Sequence, residues 1–307
     1  MKREPETTIA QYANDARVLE ELHAVPPYRV YEVSLDGRRG VLKIDDHSRG
    51  HAADEGRVHA FVASETSMEV PNVIAVGDDH YVTDWEDAFE GSPTPIEEEW
   101  AHIAGAWLGG LHADTADAFP GFGRPRDHGT RLTIDVHDRW TDAARERIAY
   151  HQEFLETVGH ADVADAVDRF LGENPGVFEG CGGPVLCHGD VHPEHLSRTD
   201  GGTATAIDFE HALGAPAEYD YWRAATPYFE AADGVGTSAL RAFQAGYESV
   251  RELPAGIEER RPAFRLLNLV AFLESLYLQE NLGADERERR AENMRRLIVE
   301  TVEDAGG

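Results

Sequence analysis

Between residues 7 and 24, Ile9, Tyr12, Ala16, Leu19 and Leu22 recur at three- and four-residue spacing, which predicts an amphipathic helix stopped by Pro26 and Pro27. The pattern then changes. YRVYEVSLDGRRGVLKID holds two runs rich in Val and Tyr around Asp36 and Gly37, and reads as a β-hairpin. A short helix over residues 51–63 and two more strands, VIAV and HYVTD, follow, the strands separated by Gly77, Asp78 and Asp79. Residues 84–95 have no period and end in Gly and Pro, so they read as a linker or hinge. Beyond it, Ile96, Trp100, Ile103, Ala104, Trp107, Leu108 and Leu111 fit a helix whose apolar stripe is core. Helices dominate the remainder, apart from a Pro/Gly-rich loop at 119–126 and a strand-like pair, VLC and TATAID. The expected architecture is α+β and two-lobed: an antiparallel β lobe with one helix at 1–86, and a larger, mainly helical lobe at 87–307.

Composition sharpens this picture. With 307 residues, 41% of them hydrophobic, the chain can bury substantial cores. It carries 58 acidic and 28 basic residues, a formal net charge of −30. That balance argues against nucleic-acid or anionic-membrane partners, which are held by basic patches. Acidic residues spread along the whole chain fit a cytoplasmic protein of a salt-loving organism. Cys181 and Cys187 are too few for a disulfide framework and lack zinc-site spacing, so reduced thiols are expected. No signal-like segment and no run of roughly 18 apolar residues is present, which leads to the expectation of a soluble, intracellular protein. All but two of the basic residues are arginine. The exceptions are Lys2, near the N-terminus, and Lys43, inside an apolar run.

Candidate chemistry concentrates in residues 188–212, HGDVHPEHLSRTDGGTATAIDFEHA. His188, Asp190, His192 and His195 fall within eight residues, and Asp208 and Glu210 form a second acidic group. A turn at Asp200, Gly201 and Gly202 would fold Asp208 back beside Asp190 and His195. Two carboxylates and a nitrogen ligand brought together suit a hydroxyl nucleophile and a divalent metal.

These motifs resemble those of the aminoglycoside phosphotransferase-like enzymes, which have a protein-kinase-like fold. His188-Gly189-Asp190 and Ile207-Asp208-Phe209-Glu210 match that family, and residues 214–220 resemble a further segment of it. The resemblance implies Asp190 as catalytic base, Asp208 as the carboxylate holding Mg²⁺, and Lys43 as the ammonium contacting the phosphates of ATP or another NTP. It implies Glu55 as the partner of Lys43, and Asp84, Trp85 and Glu86 as the hinge that meets the adenine. Val41 and Lys43 share one face of their strand, Leu42 and Ile44 the other. Two positions depart from the pattern. His195 stands where the family has a metal-ligating Asn, which makes it the candidate second metal ligand, although Mg²⁺ prefers oxygen. No glycine-rich loop precedes Lys43. The function implied is transfer of the ATP γ-phosphoryl group to a hydroxyl of a small molecule. The alternatives are a nucleotide-binding pseudo-enzyme of the same fold and a metal-dependent hydrolase built on His188, Asp190, His192, His195 and Asp208.

Overall fold

The computed structural model describes residues 4–90, 95–129, 131–199, 203–229, 235–279 and 282–306. The helix expected over residues 7–24 is replaced by a short helix, α1 (Pro5–Ile9), and a strand, β1 (Ala16–His23). The reason lies in the pairing of β1 with β2 (Tyr28–Leu35), whose register slips by one residue at Leu19 and again at Leu22. Each bulge adds a residue, turning the two-residue alternation of a strand into the three-residue spacing of Ala16, Leu19 and Leu22. Pro26 and Pro27 lie in the turn between β1 and β2 instead of ending a helix.

The hairpin around Asp36 and Gly37 forms as expected. β2 pairs with β3 (Arg38–Asp45), and both turn residues are left-handed, as a two-residue turn that matches strand twist requires. Helix α2 (Ala52–Glu65) follows, then β4 (Val73–Val76) and β5 (His80–Asp84). Among the described residues these strands make one antiparallel sheet in the order β1-β2-β3-β5-β4. Ile9, Tyr31, Val33, Leu35, Leu42, Ile44 and Val82 form a core on one face. The other face turns Val30, Val41, Lys43 and Thr83 toward a cleft.

Within the segment read as a linker or hinge, residues 87–89 form a 3₁₀ turn capped by the Glu86 carboxylate, and residues 91–94 lie outside the described residues. The chain then enters α3 (Glu98–Asp114), where Trp100, Trp107 and Leu111 are buried as expected. The segment read as a loop carries a strand, β6 (Pro125–Asp127), paired with β7 (Leu132–Ile134). Helices α4 (Trp140–Thr157) and α5 (Ala161–Glu173) lead to β8 (Val185–Cys187), β9 (Leu196–Arg198), β10 (Ala204–Ala206) and β11 (Leu213–Ala215). VLC and TATAID do not pair with each other: β8 pairs with β11 and β10 with β9, so one small ribbon brackets the 188–212 segment and the other lies within it. Helices α6 (Ala217–Phe229), α7 (Val235–Glu248), α8 (Ile257–Leu278) and α9 (Ala284–Gly306) complete the helical half. Cys181 and Cys187 are buried free thiols. No helix of the described residues is long and apolar enough to cross a membrane.

Candidate active site

Lys43 sits on β3 with its side chain about 6% exposed. Its ammonium lies 2.8 Å from Glu55 Oε2 on α2, 2.8 Å from Asp208 Oδ1 and 3.3 Å from Glu210 Oε2. It also stands 4.1 Å from the centre of the Tyr28 ring. Burial works against the ammonium, but Asp208, Glu55 and Glu210 outweigh it and hold its pKa well above that of an ordinary lysine. One cation serving three carboxylates leaves an excess of negative charge. Burial pushes Glu55 up to about 7, and burial with Asp208 alongside pushes Glu210 up to about 8. Tyr81 fixes Glu55 by donating its hydroxyl to Oε1 at 2.7 Å.

The turn expected at residues 200–202 lies outside the described residues. The β9–β10 ribbon on either side of it nonetheless returns the chain so that Asp208 faces His195. Asp208 adopts a left-handed backbone, φ 66°, an uncommon conformation for a residue other than glycine and one met at functional sites. His195 bridges the two aspartates. Its Nδ1 lies 3.1 Å from the Asp190 carbonyl and 3.3 Å from Asp190 Oδ2, and its Nε2 lies 3.2 Å from Asp208 Oδ2. Both ring nitrogens therefore face acceptors, the arrangement of an imidazolium. Burial disfavours that charge, but Asp208 and Asp190 raise the pKa to about 9. Burial likewise pushes Asp190 up, yet hydrogen bonds from His192 and His195 reverse this and hold it well below the usual carboxylate range.

The loop bearing Asp190 is shaped from below. Asp220 is fully buried and accepts the backbone N–H groups of His188 at 2.6 Å and Gly189 at 2.9 Å, while His112 approaches it at 3.3 Å. His188 is buried too. Its Nδ1 accepts the Asp190 N–H at 3.1 Å, which leaves Nε2 to donate to the Ile207 carbonyl at 2.9 Å. It is a neutral strut tying the Asp190 loop to the Asp208 loop. Replacing Asp220 by Ala would strand two buried N–H groups, and equilibrium unfolding is expected to show a loss of about 2–4 kcal/mol. Gly189 has φ +84°, and a Cβ there would lie 2.3 Å from the His211 carbonyl oxygen. Gly189→Ala is therefore expected to destabilise by about 1–3 kcal/mol and to lower activity further by displacing Asp190.

Asp84, Trp85 and Glu86 line the same cleft as Lys43 and Asp208, together with Leu22, Val30, Val41, Pro71, Phe89 and Ile207. Their side chains are engaged within the protein. Asp84 pairs with Arg38 and accepts Asn72 Nδ2 at 3.2 Å, the Trp85 ring stacks under Arg39 at 3.9 Å, and Glu86 caps the 3₁₀ turn. Of the predicted site residues, Lys43, Asp84, Trp85, Glu86 and Asp208 line this cleft, while Glu55 joins it through Lys43, and His195 and Asp190 through the contact of His195 with Asp208. Sequence reasoning missed Glu210 as the third carboxylate on Lys43 and the two tyrosines, Tyr28 and Tyr81, around the Lys43–Glu55 pair, which lie in residues read only as strand.

A sequence profile of the phosphotransferase enzyme family matches residues 28–262. The chain is 36% identical over 151 residues to a homoserine kinase of Phenylobacterium zucineum, a match that covers 49% of this chain and 42% of that protein. Its fold is similar to that of a thermostable mutant of aminoglycoside phosphotransferase APH(4)-Ia in its apo form, with a TM-score of 0.67, 18% identity and coverage of 98% and 99% of the two chains. Another mutant of that protein, in a ternary complex with ADP and hygromycin B, gives a TM-score of 0.65 at 15% identity over 99% of each chain. A macrolide 2'-phosphotransferase from Brachybacterium faecium gives 0.52 at 21% identity over 94% and 97%.

Proposed function

The chain belongs to the phosphotransferase enzyme family, and on that premise we propose that it transfers the γ-phosphoryl group of ATP to a hydroxyl of a small molecule. The observation that carries this reading is the contact of Lys43 with Asp208, 165 residues apart, at the floor of a cleft whose upper walls are apolar. The apolar upper part, closed by the hinge at Asp84, Trp85 and Glu86, suits a nucleobase. In this reading residues 1–86 form the nucleotide-binding half, 87–307 the catalytic half, and Lys43, aligned by Glu55, meets the phosphates.

The carboxylate oxygens of Asp208, with Glu55 and Glu210 close by, fit a hard divalent cation such as Mg²⁺. Asp208 would hold it, and His195 could join only as neutral imidazole, because the imidazolium has no free lone pair. The bound ion would neutralise phosphate charge. Asp190 orients the acceptor hydroxyl. The acceptor oxygen bonds to the γ-phosphorus while the bond to the β,γ-bridging oxygen breaks, ADP leaves with that electron pair, and the hydroxyl proton passes to Asp190.

The reading is tested by ADP release from ATP and Mg²⁺ across a panel of hydroxyl compounds, wild type against Asp208→Asn. Acceptor-dependent release that collapses in the variant is expected, whereas equal rates in both would overturn it. The acidic composition further supports a protein built for high salt, in which counter-ions screen self-repulsion. Its Tm is expected to rise between 0.1 M and molar KCl; an unchanged Tm would count against a salt-loving source.

A further inference from the structure

We propose that the acceptor carries an anionic group, carboxylate or phosphate, beside its reacting hydroxyl, and that Arg124 and Arg147 hold that group. This rests on the phosphotransferase reading and names the class of acceptor. A second pocket, partly open to solvent, shares Glu55 and Glu210 with the Lys43 cluster and has no lining residue in common with the apolar cleft. Its character is unexpected for a chain of net charge −30, because Arg49, Arg124 and Arg147 all line it.

The charges facing this pocket are mostly matched. Arg49 lies 3.0 Å from Glu274, Arg126 at its edge reaches Asp135 at 2.6 Å and Asp54 at 3.4 Å, and Glu55 and Glu210 face Lys43. Arg124 and Arg147 are the exceptions: among the described residues neither has a carboxylate at ion-pair distance or a hydrogen-bond acceptor. Each guanidinium instead lies near a tyrosine ring, Arg124 at 4.6 Å from the centre of Tyr150 and Arg147 at 5.7 Å from that of Tyr219. Arg147 Nε is buried with no hydrogen-bond partner. Two half-buried, unpaired guanidiniums are costly to keep unless a ligand completes them, and their planar forks match the two oxygens of a carboxylate or phosphate.

The surroundings favour the same ligand. Burial, with Arg124, Arg126 and Arg49 adding to it, pushes His51 down to about 4, so His51 is neutral, while the carboxylates of this wall, Asp54, Glu55, Glu210 and Glu274, each face a cation already. A cationic amino sugar or quaternary ammonium placed beside Arg124 and Arg147 would meet two guanidiniums without a carboxylate partner among the described residues. His211 lines the pocket, and its backbone carbonyl packs against Gly189, where a Cβ would lie 2.3 Å from it, so the loop bearing the proposed base borders the pocket. Arg124 is also rigidly placed. Gly123, at φ +153°, exchanges both backbone hydrogen bonds with Gly214 of β11, and a Cβ on it would come 1.6 Å from the Asp135 carbonyl oxygen. The 119–126 segment thus pins Arg124 against the strand that leaves the Asp208 loop.

The test uses the full chain saturated with AMP-PNP and Mg²⁺ at constant ionic strength, reading Tm during titration with inorganic phosphate, D-glycerate or choline. Phosphate or glycerate is expected to raise Tm and choline to leave it unchanged, and the stronger of the two anions identifies the group. The Arg124→Gln/Arg147→Gln variant is expected to lose the shift, and Arg124→Lys to keep part of it. In turnover, each single Gln variant should raise KM for an anionic acceptor about tenfold to hundredfold, the loss of a charge-assisted hydrogen-bonded pair. No shift with either anion, stabilisation by choline, or an undiminished shift in a folded double variant would overturn the proposal. If the double variant does not fold, the comparison of anions with choline in the wild type decides. Failure of AMP-PNP and Mg²⁺ to stabilise the protein at all would instead overturn the phosphotransferase reading itself.

Discussion

Asp190→Asn is expected to lower kcat by a factor of about 10²–10⁴, the range of a positioned general base, while KM for ATP changes little. The amide keeps the shape of the side chain, so the loop held by Asp220 and His188 should persist. What disappears is the negative charge that, in the proposed reaction, orients the acceptor hydroxyl and takes up its proton. The effect belongs to the chemical step because Asp190 is not among the residues lining the apolar cleft that would hold the base. Steady-state kinetics with saturating acceptor checks this. A fall in ATP affinity with unchanged kcat would assign Asp190 to binding instead.

Lys43→Met carries the second large effect, on both folding and ligand affinity. Removing the ammonium leaves Glu55, Asp208 and Glu210 facing one another in a site from which water is largely excluded. Stripping one partner from a buried ionic cluster typically costs about 3–5 kcal/mol, far more than the exposed ion pairs elsewhere in this chain contribute. Urea unfolding should show that loss, and AMP-PNP binding measured by calorimetry should fall below detection. Lys43→Arg is not expected to restore binding, since a forked guanidinium does not fit the compact point contact that Nζ makes with three carboxylates. Adding Glu55→Gln to Lys43→Met should recover part of the stability by removing one unpaired charge. No recovery would show that packing, not charge, is the cost.

Much of the site was legible because it is written locally. The alternation of Val41, Leu42, Lys43 and Ile44 placed one ammonium on the cleft face of β3, and its rarity in an arginine-rich chain made it conspicuous. Asp190 and Asp208 each lie in a short motif, and the hairpin at Asp36 and Gly37 follows from two residues that tolerate left-handed backbone. The misread parts depend on partners distant in sequence. Leu19 and Leu22 imitate a helical period because the pairing of β1 with β2 slips at both, a fact visible only once the two strands are paired. VLC and TATAID look alike as strands, but their true partners, β11 and β9, are too short to announce themselves. Arg124 and Arg147 carry no signal in isolation. Their meaning appears only when α4 and the 119–126 segment meet around one pocket and every other charge there has been matched.

His195 illustrates the same division. Its position five residues after Asp190 singled it out as a metal ligand by resemblance, yet only the fold shows both ring nitrogens directed at carboxylates. Protonated, it supplies positive charge between Asp190 and Asp208, and binding of a cation by Asp208 would have to compete with it.

The central claim, that this cleft moves a γ-phosphoryl group to an organic hydroxyl, is tested most directly by following the label of [γ-³²P]ATP with Mg²⁺ and an anionic hydroxyl acceptor. The label is predicted to appear in an acid-stable organic phosphate ester, at a rate that falls at least about a hundredfold in Asp190→Asn. Label recovered only as inorganic phosphate, at the same rate in wild type and variant, would contradict it.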